Sequence, residues 1–196
     1  MKLAIGINQY EIPEDLADNI IRSCKESTSN IWNKSVLSHQ DSGQDIRTSS
    51  DFNLDSVFPE LAKTLKHYVD WAVQGYCNEY QISVTQSEGL DLLRYESGQK
   101  YDFHYDTDWH YYRTVSILVY LNPAEYSGGE THFKHFDVKV KPEKPSIVVF
   151  PSSYAYLHSA LPVISGEKFI VVSWMNDLPI GIKPDSFYLI NSGLPL

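Results

Sequence analysis

After about residue 89 the chain breaks into short runs rich in Leu, Val, Ile, Tyr and Phe, separated by clusters of Gly, Pro, Asn and Ser. "LDLLRYES", "TVSILVYLN", "THFKHFDVKV", "SIVVFPS" and "KFIVVSWMN" read as strands. "ESGQ", "NPAEYSGG", "KPEKP" and "PVISGE" read as the turns between them. Many short strands at such spacing leave few solutions, because each needs a partner sheet to bury its apolar face. The pattern predicts a β-sandwich or jelly roll.

The N-terminal third reads as helical with loops. "IPEDLADNIIRSCKES" has Pro13 where a first helical turn tolerates it, acids after it, and apolar Leu16, Ile20 and Ile21. In "LDSVFPELAKTLKHYVDWAVQGYCNEY", Asp55 is a candidate N-cap, and Phe58, Leu61, Leu65, Val69 and Ala72 recur at spacings of three and four. "SGQDIRTSSDFN" between them is polar and loop-like. No linker or repeat divides the chain. The expectation is one domain, with helical support over about 1–88, a jelly-roll core over about 89–177 and a tail at 178–196.

A formal net charge of −9 disfavours nucleic acid as a partner. No apolar run reaches membrane-spanning length, and "MKLAIGINQYEIPEDL" lacks the long apolar segment of a signal peptide. Cys24 and Cys77 form neither a disulfide framework nor a metal-ligand pair by spacing, and are expected to be buried free thiols. The cytoplasm is the expected location, with no membrane partner. The 14 tyrosines suit strands and groove walls equally.

Two His-x-Asp pairs stand thirty-one residues apart: His104-Tyr105-Asp106 and His135-Phe136-Asp137. Residues i and i+2 of a strand share a face, so either pair can aim an imidazole and a carboxylate at one point. A second histidine from another strand would complete a 2-His-1-carboxylate triad that leaves positions open on Fe(II). His158 is the candidate. From Asp106 it is 158 − 106 = 52 residues away, room for several strands. From Asp137 it is 21, about one hairpin, which could also bring the groups together. His132, His135 and Asp137 make a rival cluster, opposed by the opposite facing of positions 132 and 135 on one strand. Lys168 lies ten residues beyond His158, across "PVISGE". If adjacent strands place both inside one barrel, the buried lysine needs an anion.

Taken together, "LLRYESGQKYDFHYDTD", "RTVSILVYLN", "SGGETHF", "KPSIVVFP" and "LHSALPVISGEKFIVVSW" resemble the catalytic core of the Fe(II)/2-oxoglutarate-dependent dioxygenases, and most of all the prolyl 4-hydroxylase group. The resemblance covers about residues 89–177, with a weaker extension to "IRTSS" at 46–50. It implies a mainly β fold: a double-stranded β-helix, or jelly roll, with N-terminal helices packed on its major sheet. It implies iron binding by His104, Asp106 and His158, and binding of the distal 2-oxoglutarate carboxylate by Lys168, with Tyr95 and Thr131 lining that pocket. It places Trp174 near the active site and makes Arg113, Tyr101 and Arg47 substrate contacts. Its cofactors are Fe(II), with 2-oxoglutarate and O2 as cosubstrates and ascorbate as a reductant.

The expected activity is hydroxylation of a prolyl residue in a peptide or protein, with release of succinate and CO2. Tyr101, Tyr105, Tyr111, Tyr112 and Trp174 would line a groove for an extended proline-containing segment. Only six residues, 107–112, separate Asp106 from Arg113, a shorter connection than many peptidyl hydroxylases have. That favours an alternative, an oxygenase of a free amino acid or other small molecule. A third class is a non-catalytic ligand-binding jelly roll.

Overall fold

The computed structural model describes residues 1–27, 30–35, 46–107 and 112–177. The expected tail at 178–196 and Tyr111 lie outside the described residues. In chain order the first elements are β1 (Lys2–Ala4), β2 (Ile7–Glu11), helix α1 (Glu14–Glu26), β3 (Asn33–Lys34), β4 (Ser50–Asn53), and helices α2 (Leu54–Val57) and α3 (Pro59–Tyr80). Then come β5 (Gln86–Ser87), β6 (Asp91–Tyr95), β7 (Tyr101–His104), β8 (Arg113–Tyr120), β9 (Ser127–Gly128), β10 (Thr131–Phe133) and β11 (Val138–Val140). The last are β12 (Ser146–Pro151), β13 (His158–Ala160), β14 (Val163–Ser165) and β15 (Lys168–Asn176).

Two antiparallel sheets face each other as a jelly roll. The major sheet runs β1-β2-β12-β8-β15-β6-β4-β3, with β5 also paired to β15, and the minor sheet runs β11-β10-β13-β7. The long strands β8, β12 and β15 read as near-continuous apolar runs because both their faces are covered. Alternation sorts their residues. Val115, Ile117 and Val119 of β8, with Phe169, Val171 and Met175 of β15, pack outward on Leu65, Val69, Ala72 and Tyr76 of α3. Leu118 and Tyr120, with Ile170 and Val172, point inward, where they meet Phe133 of the minor sheet. Each fully buried Leu, Ile or Phe contributes roughly 1.5–3 kcal/mol.

The helical expectation for the N-terminal third needs correction. β1 and β2 extend the major sheet, and β4, inside the stretch read as loop, pairs with β6. Their isolated sequences carry too little period to show this, since a neighbouring strand supplies the order. The long helical stretch is also broken: Pro59 restarts it as the first residue of α3. The cap of α2 is Asn53, which accepts from the Ser56 backbone N–H, not Asp55. Asp55 accepts from the Leu90 backbone N–H at 2.7 Å and ties the helix to the barrel. "PVISGE" is only partly turn, because β14 pairs with β9. Cys24 is a buried free thiol as expected, while Cys77 is half-buried.

Candidate active site

His104 ends β7 and His158 begins β13, and the two are directly opposite in the antiparallel register. Asp106 follows two residues after His104. Each imidazole has its Nδ1 against a backbone carbonyl: His104 on Asp102 at 2.8 Å, His158 on Tyr156 at 2.9 Å. A carbonyl only accepts, so Nδ1 carries the proton and Nε2 keeps its lone pair. Both Nε2 atoms lie 3.6 Å from the Asp106 carboxylate, one from each oxygen. Ser116 Oγ donates to Asp106 Oδ2 at 2.6 Å and also shares a hydrogen bond with Ser152 Oγ at 2.7 Å.

Electrostatics keep His104 and Asp106 in donor form. Burial, reinforced by His158, pushes the His104 imidazole down to about 3, so it is neutral at ordinary pH. Burial pulls the Asp106 carboxyl up. The two imidazoles, the Ser116 hydroxyl and Arg113 outweigh this and hold it below the usual carboxylate range. The three ligand atoms lie within 4.8 Å of one another. Among the described residues this is the one group of three such side chains that could hold a metal. Two imidazoles and one carboxylate, oriented by outer hydrogen bonds, suit a divalent iron with open positions.

Deeper in the barrel lies Lys168, 1% exposed. Its Nζ donates to the Gly129 carbonyl at 2.8 Å and sits 5.3 Å from the ring centres of both Tyr95 and Tyr120. Burial pulls this ammonium down to about 7, with Glu130 pulling the other way. Gly129 must be glycine: its φ is +67°, and a Cβ would come within 3.0 Å of Tyr126 and 3.3 Å of Lys168. That accounts for "GGET" physically. Thr131 Oγ1 and the Tyr120 hydroxyl are 2.5 Å apart. A buried ammonium among hydroxyls, without an acid in hydrogen-bond contact among the described residues, is a ready partner for an anion. The barrel expectation is met differently from the sequence argument. His158 and Lys168 stand on opposed sheets, β13 and β15, rather than on adjacent strands.

The remaining predicted residues form two flanks. Tyr101 stacks on His104 at 3.6 Å between ring centres, and the Arg47 guanidinium lies 5.2 Å from the Tyr101 ring. On the other flank Arg113 lies 3.6 Å over Trp174 and donates through Nη1 to the Asp106 carbonyl at 3.2 Å. β8 therefore does not run beside β7, as its place in the chain suggested; it lies in the other sheet, and Arg113 reaches across. Tyr105 is 49% exposed between two inward residues and does not line the cavity. Sequence reasoning missed Tyr120 and Glu88. The inward phase of β8 and the need of a buried phenol for a partner could have found Tyr120. Nothing local marks Glu88, whose carboxylate pairs with Arg113 at 2.6 Å.

The second His-x-Asp pair is on no strand. Lys134–Phe136 form a 3-10 turn, closed by Asp137 at φ 50°. His135 is exposed, and the Asp137 carboxylate lies 3.5 Å from His132. The earlier argument that positions 132 and 135 face opposite sides of one strand is therefore replaced by a break in the strand.

Comparison with known proteins agrees with this geometry. Residues 90–176 match the sequence model of the 2OG-Fe(II) oxygenase superfamily. "Probable prolyl 4-hydroxylase 9" of Arabidopsis thaliana is 31% identical over 138 residues, covering 56% of this chain and 48% of the relative. The chain spans about half the length of the first such relatives it matches. In fold it is similar to the viral collagen prolyl hydroxylase of Paramecium bursaria Chlorella virus-1, solved with 2OG: TM-score 0.66, 22% identity, 88% of this chain and 97% of that one. It is also similar to a Trichoplax adhaerens prolyl hydroxylase, solved with a hypoxia inducible factor peptide: TM-score 0.73, 19% identity, 88% and 84% covered.

Proposed function

We propose that the protein is a 2-oxoglutarate-dependent dioxygenase that hydroxylates a prolyl residue in a peptide or protein; the match of residues 90–176 to the 2OG-Fe(II) oxygenase superfamily supports this. The observation that carries the reading is the convergence of His104, Asp106 and His158 within 4.8 Å, in the same barrel as a fully buried Lys168. Iron with 2-oxoglutarate supplies, when bound, oxidative decarboxylation to succinate and CO2 coupled to oxygen insertion into a C–H bond.

The chain's own residues hold and orient. His104, Asp106 and His158 are the ligands in this reading, with Nδ1 protons fixed on carbonyls so that Nε2 faces the metal. Ser116 holds the carboxylate in one rotamer. Lys168 takes the distal carboxylate of 2-oxoglutarate, and that anion restores the charge that burial disfavours. Thr131, Tyr120 and Tyr95 wall the same pocket. Tyr101 and Trp174, with Arg47 and Arg113 against their faces, flank the substrate entrance. The Trichoplax relative's peptide complex supports a peptide as the substrate class. No helix among the described residues is long and apolar enough to cross a membrane. With two free cysteines, this fits the cytoplasmic location we assign.

The test adds Fe(II) and 2-oxoglutarate without oxygen, then admits oxygen with either a proline-rich peptide or free proline. A visible metal-to-ligand charge-transfer band and peptide-stimulated succinate release are expected. No band removes the oxygenase reading. Release driven by free proline alone moves the substrate to the small-molecule class.

A further inference from the structure

Arg113 donates to the backbone of Asp106, and it is already matched. Its Nε donates to both Glu88 oxygens at 3.0 Å and its Nη2 to Oε2 at 2.6 Å, a forked pair. Nη1 donates to the Asp106 carbonyl, and the guanidinium plane lies on Trp174. Glu88 is itself fixed, since its backbone N–H donates to the Trp174 carbonyl at 3.1 Å. The arginine on the opposite flank, Arg47, faces Asp51 at 3.7 Å and donates from Nε to Ser49. Both arginines at the entrance thus stand beside an acid.

A carboxylate entering this mouth needs an unopposed cation, because stripping its water without one is costly. An amide carbonyl carries no net charge and meets no such penalty beside Glu88. Glu88 also repels a second carboxylate. Discrimination of this kind, by a like charge set against the wrong ligand, is a general route to specificity. We propose that Glu88 is a specificity-determining residue: by holding Arg113 it excludes substrates bearing a carboxylate next to the reacting ring and admits those whose carbonyl is an amide. This rests on the oxygenase reading and adds to it a named residue that sorts charged from neutral substrates.

The experiment is calorimetric titration of protein saturated with Fe(II) and 2-oxoglutarate, without oxygen. The two probes are N-acetylproline, an anion, and N-acetylproline methylamide, its neutral counterpart. The wild type should prefer the amide. Glu88→Gln keeps the hydrogen-bonding shape and removes the charge, and should raise affinity for the anion relative to the amide about tenfold. The double variant Glu88→Gln with Arg113→Gln should lose that gain, which a merely structural role for Glu88 does not predict. An unchanged ratio, or a gain that survives loss of Arg113, overturns the proposal. If the wild type shows the charge-transfer band but Glu88→Gln leaves the ratio unchanged, this inference alone is defeated. A wild type without the band defeats the oxygenase reading and this inference with it.

Discussion

The chain carries the same three-residue pattern twice and gives the two copies opposite fates. His104-Tyr105-Asp106 runs off the end of β7, and there His104 and Asp106 converge on His158 across the sheet. His135-Phe136-Asp137 sits in a 3-10 turn that ends left-handed, so His135 and Asp137 are left exposed while Phe136 packs on Tyr156. Backbone period, not residue type, decides whether a His-x-Asp becomes a donor set. The partner matters as much: His158 lies opposite His104, while His132 lies opposite Ser159.

The comparison breaks most readily by deleting one imidazole from each copy. His104→Ala or His158→Ala removes a ligand and should lower iron affinity by at least roughly a hundredfold, with loss of 2-oxoglutarate turnover. His135→Ala should keep both, with stability within about 0.5 kcal/mol of wild type. Iron titration and succinate release measure this. An inactive His135→Ala beside an active His104→Ala would falsify the assignment.

The next largest effect sharpens the contrast at the anion end of the barrel. In the proposed reading, Lys168→Ala deletes the charge-assisted hydrogen bonds to the distal carboxylate, worth about 1.5–3 kcal/mol, or roughly ten- to a hundredfold in 2-oxoglutarate affinity. Iron should still bind, since Lys168 touches none of the three donors. Unchanged 2-oxoglutarate affinity would mean that another cation holds that carboxylate.

Much of this was legible because strand alternation survives in the sequence. The inward phase of "KFIVVSWMN" places Lys168, Ile170, Val172 and Trp174 on one side, and "TVSILVYLN" sets Ser116, Leu118 and Tyr120 to face them. What escaped depends on pairing between distant segments. β1 and β2 are short and ambiguous alone, and become strands because β12 is there to receive them. Glu88 escaped for the same reason: its partner is twenty-five residues away, and its position depends on β5 pairing with β15. The triad was visible and its sheet assignment was not, because chain order says little about which of two sheets a jelly-roll strand joins.

Acidity separates the copies by a smaller, graded effect. Folded His104 titrates near 3, against 6.5 for an unperturbed histidine. Between those values the unfolded chain binds a proton that the folded chain refuses. Falling pH therefore favours unfolding, with a slope approaching about 1.4 kcal/mol per pH unit for that proton. Asp106, also depressed, adds the same sign at the acid end, below its ordinary 3.8. Metal-free wild type should lose Tm as pH falls from 7 to 4, and His104→Gln should lose less over that span. Equal slopes would show that the buried imidazole does not control acid stability.

The smallest effect asks whether the second copy is anything but backbone geometry. Asp137 holds φ 50°, and its N–H reaches back to the Lys134 carbonyl at 3.4 Å, which closes the 3-10 turn. Its side chain is 95% exposed, so solvent screens its 3.5 Å contact with the largely buried His132, and that contact contributes little. Glycine adopts this left-handed conformation without the Cβ penalty, but loses more freedom on folding, so the two terms largely cancel. Asp137→Gly should leave stability within about 0.5 kcal/mol of wild type, since it touches no buried network. Iron binding should be unchanged. Thermal unfolding of the metal-free protein and iron titration together decide it. A measurable fall in iron affinity would mean that Asp137, through His132 and the strand it shares with Phe133, helps set the position of His158, and the two copies would no longer be independent.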